Sequence, residues 1–569
     1  MKKLEGIAGA TGIAICPMFF YEADNEEIAG QREKIDLDTA IEKCIQKINS
    51  LYEKALKEVG DEEAKIFAAY KMLLEDTYMF APIRKAISEG REAREAVREE
   101  MDKNCLIFQS MEDPYMKQRG DDIRYIGKIL VDAIDGKEQG IELPDGTGKI
   151  IIVAKDLSPV ETMAMDKARL AGIVTELGGI TSHTVILSKS LGIPAIVGAH
   201  NITKEKSAYD GKIGILDGEE GHLFMDPEEE ILEAYRKKEE KERVQNHKIS
   251  YFGKEKATTK DGYQKVVLVN IGRYEDLEMA EQVVYDGVGL FRTEFLFLET
   301  EKMPTFEQQK KVYEKVIRAV SPNVVTIRTL DIGGDKEVPY MDLPKEENPF
   351  LGNRGIRLCF TYEELFRQQL KAILVAAGEQ EVKIMLPMIT NIEEIRKAKE
   401  ILLSVKTEIG SELVGKKVKL GIMIETPAAA IMADQLAKEC DFFSIGTNDL
   451  TQYITATDRG NTAVQKIYDP YHPAVIRMIA RAISEGRNAG IEVSVCGDLA
   501  SNLKYLPLLV GMGLEKYSVP ASMVGKVKYQ IHQCNQKDAM ELLKQVMQMS
   551  DAKKIQSEVT AFYHKSQQV

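Results

Sequence analysis

The sequence lacks the features of a membrane protein, of a disulfide-stabilised secreted fold and of a nucleic-acid-binding protein. No stretch approaches the ~18 consecutive apolar residues that a membrane-spanning helix needs. The seven cysteines are scattered without a CxxC pair, which argues against structural zinc or disulfides and for a reducing compartment. The net charge of −14 disfavours binding to a phosphate backbone. We therefore expect a cytoplasmic protein that binds neither membranes nor nucleic acid.

The chain has 569 residues, too many for one hydrophobic core, so several domains are expected. Apolar residues recur at helical spacing from about residue 36 to residue 134, which predicts a helical domain. Strand-like segments alternate with helices around it, at 150–154, 171–174 and 193–197, and indicate a compact α/β domain. The helical block is therefore an insertion into this domain or a neighbour of it. Residues 226–247 are highly charged and predict a solvated helix that links two halves and acts as a hinge with the loop after it.

The second half of the chain repeats a short apolar strand followed by an amphipathic helix. Eight such units in roughly 310 residues predict a (β/α)8 barrel, in which chemistry collects at the carboxyl ends of the strands. The strand candidates are residues 266–271, 287–292, 324–328, 383–388, 419–425, 442–446, 492–496 and 516–519.

A single histidine follows a glycine turn in the segment GGITSHTVILSKSLGIPAIVG, residues 178–198. His183 comes after Thr181 and Ser182, which are N-cap residue types, and it opens an apolar run that predicts a helix. The N-terminus of a helix attracts phosphate because its first backbone N–H groups lack intrahelical partners. A lone histidine is more commonly a capping residue, but the rest of the chain favours a phosphoryl acceptor.

Charged and reactive residues follow the predicted barrel strands. Arginine forks bind phosphate and carboxylate, and separated carboxylates suit Mg²⁺ that also takes substrate oxygens. The expected substrate is therefore small, carries both phosphate and carboxylate, and needs a metal. The residues expected to converge on the barrel mouth are Arg292, Arg328, Lys336, Arg354, Arg357, Glu425, Asn448, Asp449, Arg459 and Cys496.

In their order along the chain, these motifs resemble those of Enzyme I of the bacterial phosphoenolpyruvate-dependent sugar phosphotransferase system. The longest matching phrases are GVGLFRTEF (287–295), DIGGDKEVPYMDLPKEENPFLG (331–352) and FFSIGTNDLTQY (442–453), and the resemblance covers nearly the whole chain. It implies transfer of a phosphoryl group from phosphoenolpyruvate to the protein's own histidine and then to the carrier protein HPr, the first step of sugar uptake.

The resemblance also implies a multidomain α/β architecture with defined limits. Residues 1–20 and 145–225 would form a phosphohistidine α/β domain, and the inserted residues 21–144 a helical domain that docks HPr. Residues 226–255 would be a helical linker. Residues 256–569 would form the TIM-type barrel that binds phosphoenolpyruvate and Mg²⁺ and makes the homodimer.

Carried over by motif, the resemblance assigns a role to each site residue. His183 would be phosphorylated on Nε2, Thr162 would orient its ring, and Cys496 would protonate the enolate carbon as pyruvate forms. Glu425 and Asp449 would hold Mg²⁺. The substrate would be held by Arg292, Arg328, Lys336, Arg354 and Arg459, with Asn448 assisting.

Several positions depart from the family pattern and leave alternatives open. One alternative is a regulatory paralogue, or one that serves a dedicated carrier, with weakened catalysis; another is a pyruvate-phosphate dikinase or phosphoenolpyruvate synthase. The latter two would need a nucleotide-grasp domain, for which no segment fits. The departures are Tyr70, Ile180, Asn353, Gly355, Asp498, Ser501 and Asn502.

Overall fold

The structure is a computed structural model that divides into two compact units, Met1–Arg243 and Val244–Val569. No helix among the described residues is long and apolar enough to cross a bilayer. The described residues are 1–22, 35–58, 61–110, 114–136, 148–179, 182–280, 283–333, 336, 338, 340–341, 343–410, 417–461 and 463–567.

The first unit is built on a mixed sheet of eight strands. The strands are β1 (Lys2–Glu5), β2 (Ile7–Ala10), β3 (Ile13–Tyr21), β4 (Ile150–Ala154), β5 (Leu170–Thr175), β6 (Ala195–Val197), β7 (Ile213–Asp217) and β8 (His222–Met225). Their order is β1-β8-β7-β3-β4-β5-β6-β2, with β3 to β6 parallel and the other pairs antiparallel. Every residue of β4 is buried, as expected for a central apolar strand covered on both faces. The predicted strand at 193–197 is shorter than expected and begins after Pro194, which lacks the backbone N–H of a ladder residue.

A block of helices is inserted between β3 and β4, which confirms the predicted insertion. Its helices are α1 (Leu37–Glu58), α2 (Asp61–Glu75), α3 (Thr77–Ser88), α4 (Ala93–Gln109) and α5 (Pro114–Ile134). Their apolar faces share one core, which also takes in Val160, Met163 and Leu187 from the α/β part of the unit. The remaining helices of the unit are α6 (Pro159–Ala164), α7 (His183–Leu191) and α8 (Lys206–Tyr209).

A long charged helix, α9 (Glu229–Lys254), runs through the boundary between the two units. Its first half is held to the first unit by Lys238, whose Nζ lies 2.8 Å from the buried carboxylate of Asp217. At the other end of the helix, the buried Lys528 donates from Nζ to the carbonyl of Glu255, the residue after the helix, at 2.7 Å and to that of Val284 at 2.5 Å. Glu255, the first residue after the helix, is thus bonded to the barrel through Lys528. The hinge at the charged helix and the loop after it stays a prediction.

The second unit is a closed barrel of eight parallel strands, which confirms the predicted (β/α)8 fold. The strands are β9 (Val266–Ile271), β10 (Gly287–Arg292), β11 (Val324–Arg328), β12 (Val382–Leu386), β13 (Val418–Ile424), β14 (Phe442–Ile445), β15 (Glu492–Val495) and β16 (Lys516–Pro520). Each strand pairs with the next, and β16 closes on β9. The helices around and after it are α10 (Glu275–Glu278), α11 (Phe295–Leu298), α12 (Phe306–Val320), α13 (Ile356–Thr361), α14 (Glu363–Ala377), α15 (Ile392–Ile409), α16 (Pro427–Ile431), α17 (Ala433–Leu436), α18 (Thr447–Thr455), α19 (Pro473–Asn488), α20 (Leu506–Gly511), α21 (Val524–Gln533), α22 (Gln536–Val546) and α23 (Ala552–Gln567).

Candidate active site

The carboxyl ends of the barrel strands bring buried cations and carboxylates together. Arg328 is the last residue of β11, and its Nη2 donates to Oε1 of Glu294 at 2.5 Å. Lys336 reaches the same oxygen at 3.1 Å from the loop after β11. Asp331 accepts from all three predicted substrate cations of this cluster: from Arg328 at 3.2 Å, and from Lys336 and Arg354 at 3.3 Å each.

Glu294 and Asp331 are buried carboxylates, and the cations around them keep both ionised. Burial alone would raise the pKa of Glu294, but Arg328 and Lys336 outweigh it and the pKa lies below its ordinary value. The same balance holds the pKa of Asp331 well below its usual range, with Arg328 and Arg354 as the strongest neighbours. Both carboxylates are therefore charged at neutral pH and fix the direction of the guanidinium and ammonium groups. Sequence reasoning missed these two residues, although both lie in the motifs RTEF and TLDIGGDK beside the predicted arginines.

A buried glutamine forms hydrogen bonds to both loops that follow β10 and β11. The side chain of Gln369, on α14, accepts from the backbone N–H of Leu330 at 2.9 Å and donates to the hydroxyl of Thr293 at 3.0 Å. Thr293 in turn donates to the carbonyl of Arg328 at 2.8 Å. The loops after β10 and β11 are thus tied to one another behind the charged groups.

Glu425 and Asp449, the predicted metal ligands, lie at the ends of neighbouring strands. Glu425 follows β13 and is almost fully buried, and Asp449 lies in the first turn of α18 after β14. Burial raises the pKa of Glu425 to about 8, and repulsion from Asp449 and then Asp331 adds to the shift. Oδ2 of Asp449 accepts from Arg354 at 3.2 Å, whereas its buried Oδ1 has no partner in the described part of the chain.

This pair of carboxylates fits a divalent cation. Two mutually repelling carboxylates at a buried site are stabilised when a cation lies between them, and Mg²⁺ in particular binds through one or two carboxylates plus water and substrate oxygens. Among the described residues no group of three or more histidine, cysteine, aspartate or glutamate side chains could hold a metal. Glu425 and Asp449 therefore offer two carboxylates to a cation, and their role as metal ligands stays a prediction.

Unpartnered buried atoms concentrate around these residues. Buried polar groups are nearly always hydrogen-bonded in folded proteins, so a cluster of exceptions indicates a missing ligand. Within the described residues, the buried atoms of this site without a partner are Oε2 of Glu294, Nε of Arg328, Nε of Arg354 and Oδ1 of Asp449.

Cys496 and Asn448 lie at the same end of the barrel. The buried thiol of Cys496 follows β15 and donates to the carbonyl of Ile445 at 3.6 Å. Burial raises its pKa, although Ser444 and Arg328 act in the opposite direction. The side-chain oxygen of Asn448 accepts from the backbone N–H of Asp498 at 2.9 Å.

Arg292 and Arg459 are placed differently from the other cations. Arg292 ends β10 and is partly buried, and its positive charge opposes the rise in the pKa of the Cys496 thiol. No described residue forms an ion pair with Arg292. Arg459 is exposed on the loop after α18, where its backbone N–H donates to Gln452 at 3.1 Å. The structure does not bring the Arg459 side chain into the buried cluster.

The departures from the family pattern have local structural roles. The side chain of Asn502 accepts from the backbone N–H groups of Lys504 and Tyr505 and so stabilises the turn before α20. The backbone N–H of Asn353 donates to Glu346 at 2.9 Å, and the side chain of Asp498 is exposed. None of these contacts involves the buried cluster. Ile180 and Thr181 lie outside the described residues.

His183 is the first residue of α7, which confirms that it lies at the N-terminus of a helix. Ser182 is the N-cap, but its side chain makes no capping bond, and its buried hydroxyl has no partner among the described residues. Gly178 has a φ of +99°, a backbone conformation that suits glycine in the preceding turn. Thr162, predicted to orient the histidine, is buried on α6 and donates to the carbonyl of Ser158 at 2.9 Å.

Comparisons with known proteins show similarity over nearly the whole chain. Three family models match: "PEP-utilising enzyme, N-terminal" over residues 5–119, "PEP-utilising enzyme, mobile domain" over 146–221 and "PEP-utilising enzyme, PEP-binding domain" over 246–536. The phosphoenolpyruvate-protein phosphotransferase of Priestia megaterium is 37% identical over 575 residues, covering 99% of each chain. That of Bacillus subtilis is 36% identical over 567 residues, covering 98% of each chain. That of Staphylococcus aureus is 38% identical and covers 95% of this chain and 96% of its own.

Proposed function

The chain belongs to the Enzyme I family of phosphoenolpyruvate-protein phosphotransferases, and we propose that it passes the phosphoryl group of phosphoenolpyruvate through His183 to the histidine of HPr or a dedicated homologue. Phosphoenolpyruvate-dependent phosphotransfer is the activity of this family, and the chain is accordingly a transferase. The observation that carries the proposal is the buried cluster of Arg328, Lys336 and Arg354 at the barrel mouth, with unpartnered polar atoms around it.

The cluster suits a substrate with both a phosphate and a carboxylate. Arg328, Lys336 and Arg354 are already aimed by Glu294 and Asp331, so little side-chain freedom is lost when an anion binds. Arg292, which pairs with no described residue, supplies a further cation, and Asn448 extends the set from α18. Arg459 lies outside the set, on the exposed loop after α18. Phosphoryl transfer depends mainly on positioning and charge neutralisation, which these groups provide.

The first transfer breaks one bond and forms one. The lone pair of neutral His183 attacks the phosphorus, the P–O bond to the enol oxygen breaks, and a P–N bond forms. The partnerless hydroxyl of Ser182 and the first N–H groups of α7 stabilise the phosphoryl oxygens on the histidine. Thr162 orients the imidazole ring from α6.

Cys496 completes the conversion of the enolate to pyruvate. The thiol proton moves to the enolate carbon, and solvent later returns a proton to the sulfur. A thiol acts as an acid only while it holds its proton, and burial supports this by raising the pKa of Cys496.

Glu425 and Asp449 would hold Mg²⁺ at this site. The ion supplies neutralisation of substrate negative charge when it is bound. The two carboxylates, one with an unpartnered oxygen, are the residues of this chain suited to hold it.

The inserted helical block provides a surface for the carrier protein. Met72 on α2 and Tyr78 on α3 are large apolar side chains that are 71% and 89% exposed. Both side chains would lose apolar accessible surface in a contact with the carrier, which favours binding. A carrier docked on this block would receive the phosphoryl group from His183, which belongs to the same compact unit.

The proposed assembly is a cytoplasmic homodimer that associates through its barrels. Exposed apolar side chains on the barrel, including Ile431 and Met432 at the end of α16, support such a contact. The seven cysteines are free thiols, as expected for a reducing compartment.

Labelling with radioactive phosphoenolpyruvate tests the proposed route. Wild-type protein should take up acid-labile label in the presence of Mg²⁺ and pass it to HPr, and His183→Ala should take up none. His200→Ala is the control, because His200 lies on the loop after β6 and has no proposed role. Label on wild type that does not move to HPr would point to a dedicated carrier. No label under any condition would favour the regulatory alternative.

A further inference from the structure

Met388 combines an unusual backbone conformation with contact to a proposed metal ligand. It follows β12 and has a φ of +61°, in the left-handed region that non-glycine residues rarely adopt. Its side chain is uncharged, and no sequence motif distinguishes it. Residues held in such conformations cluster at functional sites, where the surrounding structure compensates the cost.

The left-handed conformation directs the backbone N–H of Met388 at Glu425. That N–H donates to Oε1 of Glu425 at 2.6 Å. No other hydrogen bond to the carboxylate of Glu425 is found among the described residues, so Oε2 is left for another ligand. Gly446 lies beside Oε2, and a Cβ at this position would be 3.0 Å from that oxygen.

Two neighbouring contacts hold Met388 in this conformation. Gly355 lies against it, and a Cβ at Gly355 would be 2.8 Å from Cγ of Met388, so a larger residue there would displace the methionine. The hydroxyl of Thr426, the residue after Glu425, donates to the carbonyl of Ile389 at 2.7 Å. The segments 388–389 and 425–426 are thus joined by two hydrogen bonds in opposite directions.

We propose that Met388 is a positioning residue whose left-handed backbone N–H fixes Oε1 of Glu425, so that Oε2 is the oxygen presented to the metal. The inference rests on the proposed metal site. It requires the backbone conformation at position 388 and not the methionine side chain. A β-branched residue strongly disfavours the left-handed region, whereas glycine adopts it freely and leucine resembles methionine.

Titration of the full chain with Mn²⁺, monitored by the electron paramagnetic resonance signal of the free ion, separates the role of the backbone conformation at position 388 from that of the side chain. Met388→Leu and Met388→Gly should bind Mn²⁺ within about twofold of wild type, because both keep the N–H in place. Met388→Val should bind at least about fivefold more weakly, because the backbone relaxes and the N–H turns away. Equal affinity of the valine variant, or equal weakening of all three variants, would overturn the proposal.

Two controls distinguish failure of this inference from failure of the proposed metal site. Glu425→Gln should weaken Mn²⁺ binding; if it does not, the proposed metal site is wrong and the role of Met388 is wrong with it. Asn201→Val places a β-branched residue at another left-handed position, with φ +62° in the first unit, and should leave Mn²⁺ affinity unchanged.

A spectroscopic measurement decides the question if the valine variant does not fold. In protein labelled with ¹⁵N-methionine, the Met388 amide resonance is identified by its absence in Met388→Leu. The hydrogen bond to Glu425 shifts this amide proton downfield, so Glu425→Ala, which removes the acceptor, should move the resonance upfield. An unchanged Met388 resonance in Glu425→Ala would overturn the proposal.

Discussion

At the scale of single residues, the site depends on buried charges that neutralise one another. Asp331 is 1% exposed and contacts three cations, and Glu294 contacts two of them. Removing one partner from such a group leaves an uncompensated buried charge, which costs more than the pair itself contributes. The same cations are therefore both a structural feature and the proposed substrate-binding groups.

Asp331→Asn tests this balance. The change keeps the shape of the side chain but leaves Arg328, Lys336 and Arg354 undercompensated, so we expect the unfolding free energy of the barrel to fall by about 3 kcal/mol. Inorganic phosphate should raise the Tm of the variant more than that of wild type, because the anion replaces the missing charge. Thermal unfolding with and without phosphate measures both effects. Asp434→Asn, which alters an exposed ion pair with Arg481, is the control; equal phosphate effects in wild type and Asp331→Asn would contradict the prediction.

Cys496→Ala tests the proposed acid. Phosphorylation of His183 from phosphoenolpyruvate does not need the thiol proton, whereas the reverse phosphorylation of pyruvate must remove a proton from its methyl group. We expect the reverse reaction to fall at least about 100-fold and the forward labelling to change far less. Because burial raises the pKa of Cys496 from its ordinary value of 9.0, wild-type pyruvate formation should show no loss from thiol ionisation between pH 7 and pH 9. Cys440→Ala, at a cysteine outside the site, is the control, and equal loss in both directions would contradict the assigned role.

At the scale of elements, the two ends of the barrel strands carry different charge clusters. At the amino ends, Glu492 on β15 lies against Lys383 on β12 and Lys516 on β16, and Lys419 on β13 lies 3.6 Å away. Burial alone would raise the pKa of Glu492, but the lysines lower it to about 2. Charges at this end of such barrels serve stability, since chemistry collects at the opposite end.

Glu492→Gln should therefore change stability in a pH-dependent way. The folded pKa of about 2 lies below the ordinary 4.5, so the carboxylate stabilises the fold above pH 4.5 and the contribution is lost as the pH falls towards 2. At neutral pH we expect a loss of about 1–2 kcal/mol, because solvent screens this half-buried group. Urea unfolding from pH 7 to pH 2.5 measures it, with Glu558→Gln, at an exposed glutamate on α23, as control. A difference between wild type and variant that is as large at pH 2.5 as at pH 7 would contradict the prediction.

The hydrogen bonds of Lys528 near the end of α9 lead to a second prediction at this scale. Lys528→Met keeps the length of the side chain but removes the bonds to the carbonyls of Glu255 and Val284, so the end of α9 should loosen. Hydrogen exchange of residues 249–255 should become faster, with little change elsewhere in the barrel. Lys526→Met, at an exposed lysine on the same helix, is the control. Unchanged exchange in the Lys528 variant would show that other contacts anchor the helix.

At the scale of the whole molecule, the sequence predicted elements better than contacts. Short apolar runs between amphipathic helices predicted all eight barrel strands to within one or two residues at each end. This worked because a strand buried in a parallel barrel is a continuous apolar segment. Placement at strand ends predicted that Arg328, Glu425 and Cys496 lie at one end of the barrel, since parallel strands share a carboxyl face. The partners of these residues depend on loop conformation. For that reason the sequence did not predict the roles of Glu294 and Asp331. Nor did it predict the left-handed backbone of Met388, because methionine has no preference for that conformation.

The most direct test of the central claim separates the two half-reactions of His183 by rapid quench. Arg328→Ala should slow phosphorylation of His183 from phosphoenolpyruvate by at least about 1,000-fold, because a buried phosphate-binding cation is lost. The same variant should still accept a phosphoryl group from phosphorylated HPr at close to the wild-type rate, because that reaction does not use the barrel site. Arg396→Ala, which removes an exposed ion pair with Glu439, should leave both rates unchanged. Two results would contradict the assignment of the barrel cluster as the phosphoenolpyruvate site. One is that phosphoenolpyruvate phosphorylates Arg328→Ala at the wild-type rate, and the other is that both half-reactions slow equally.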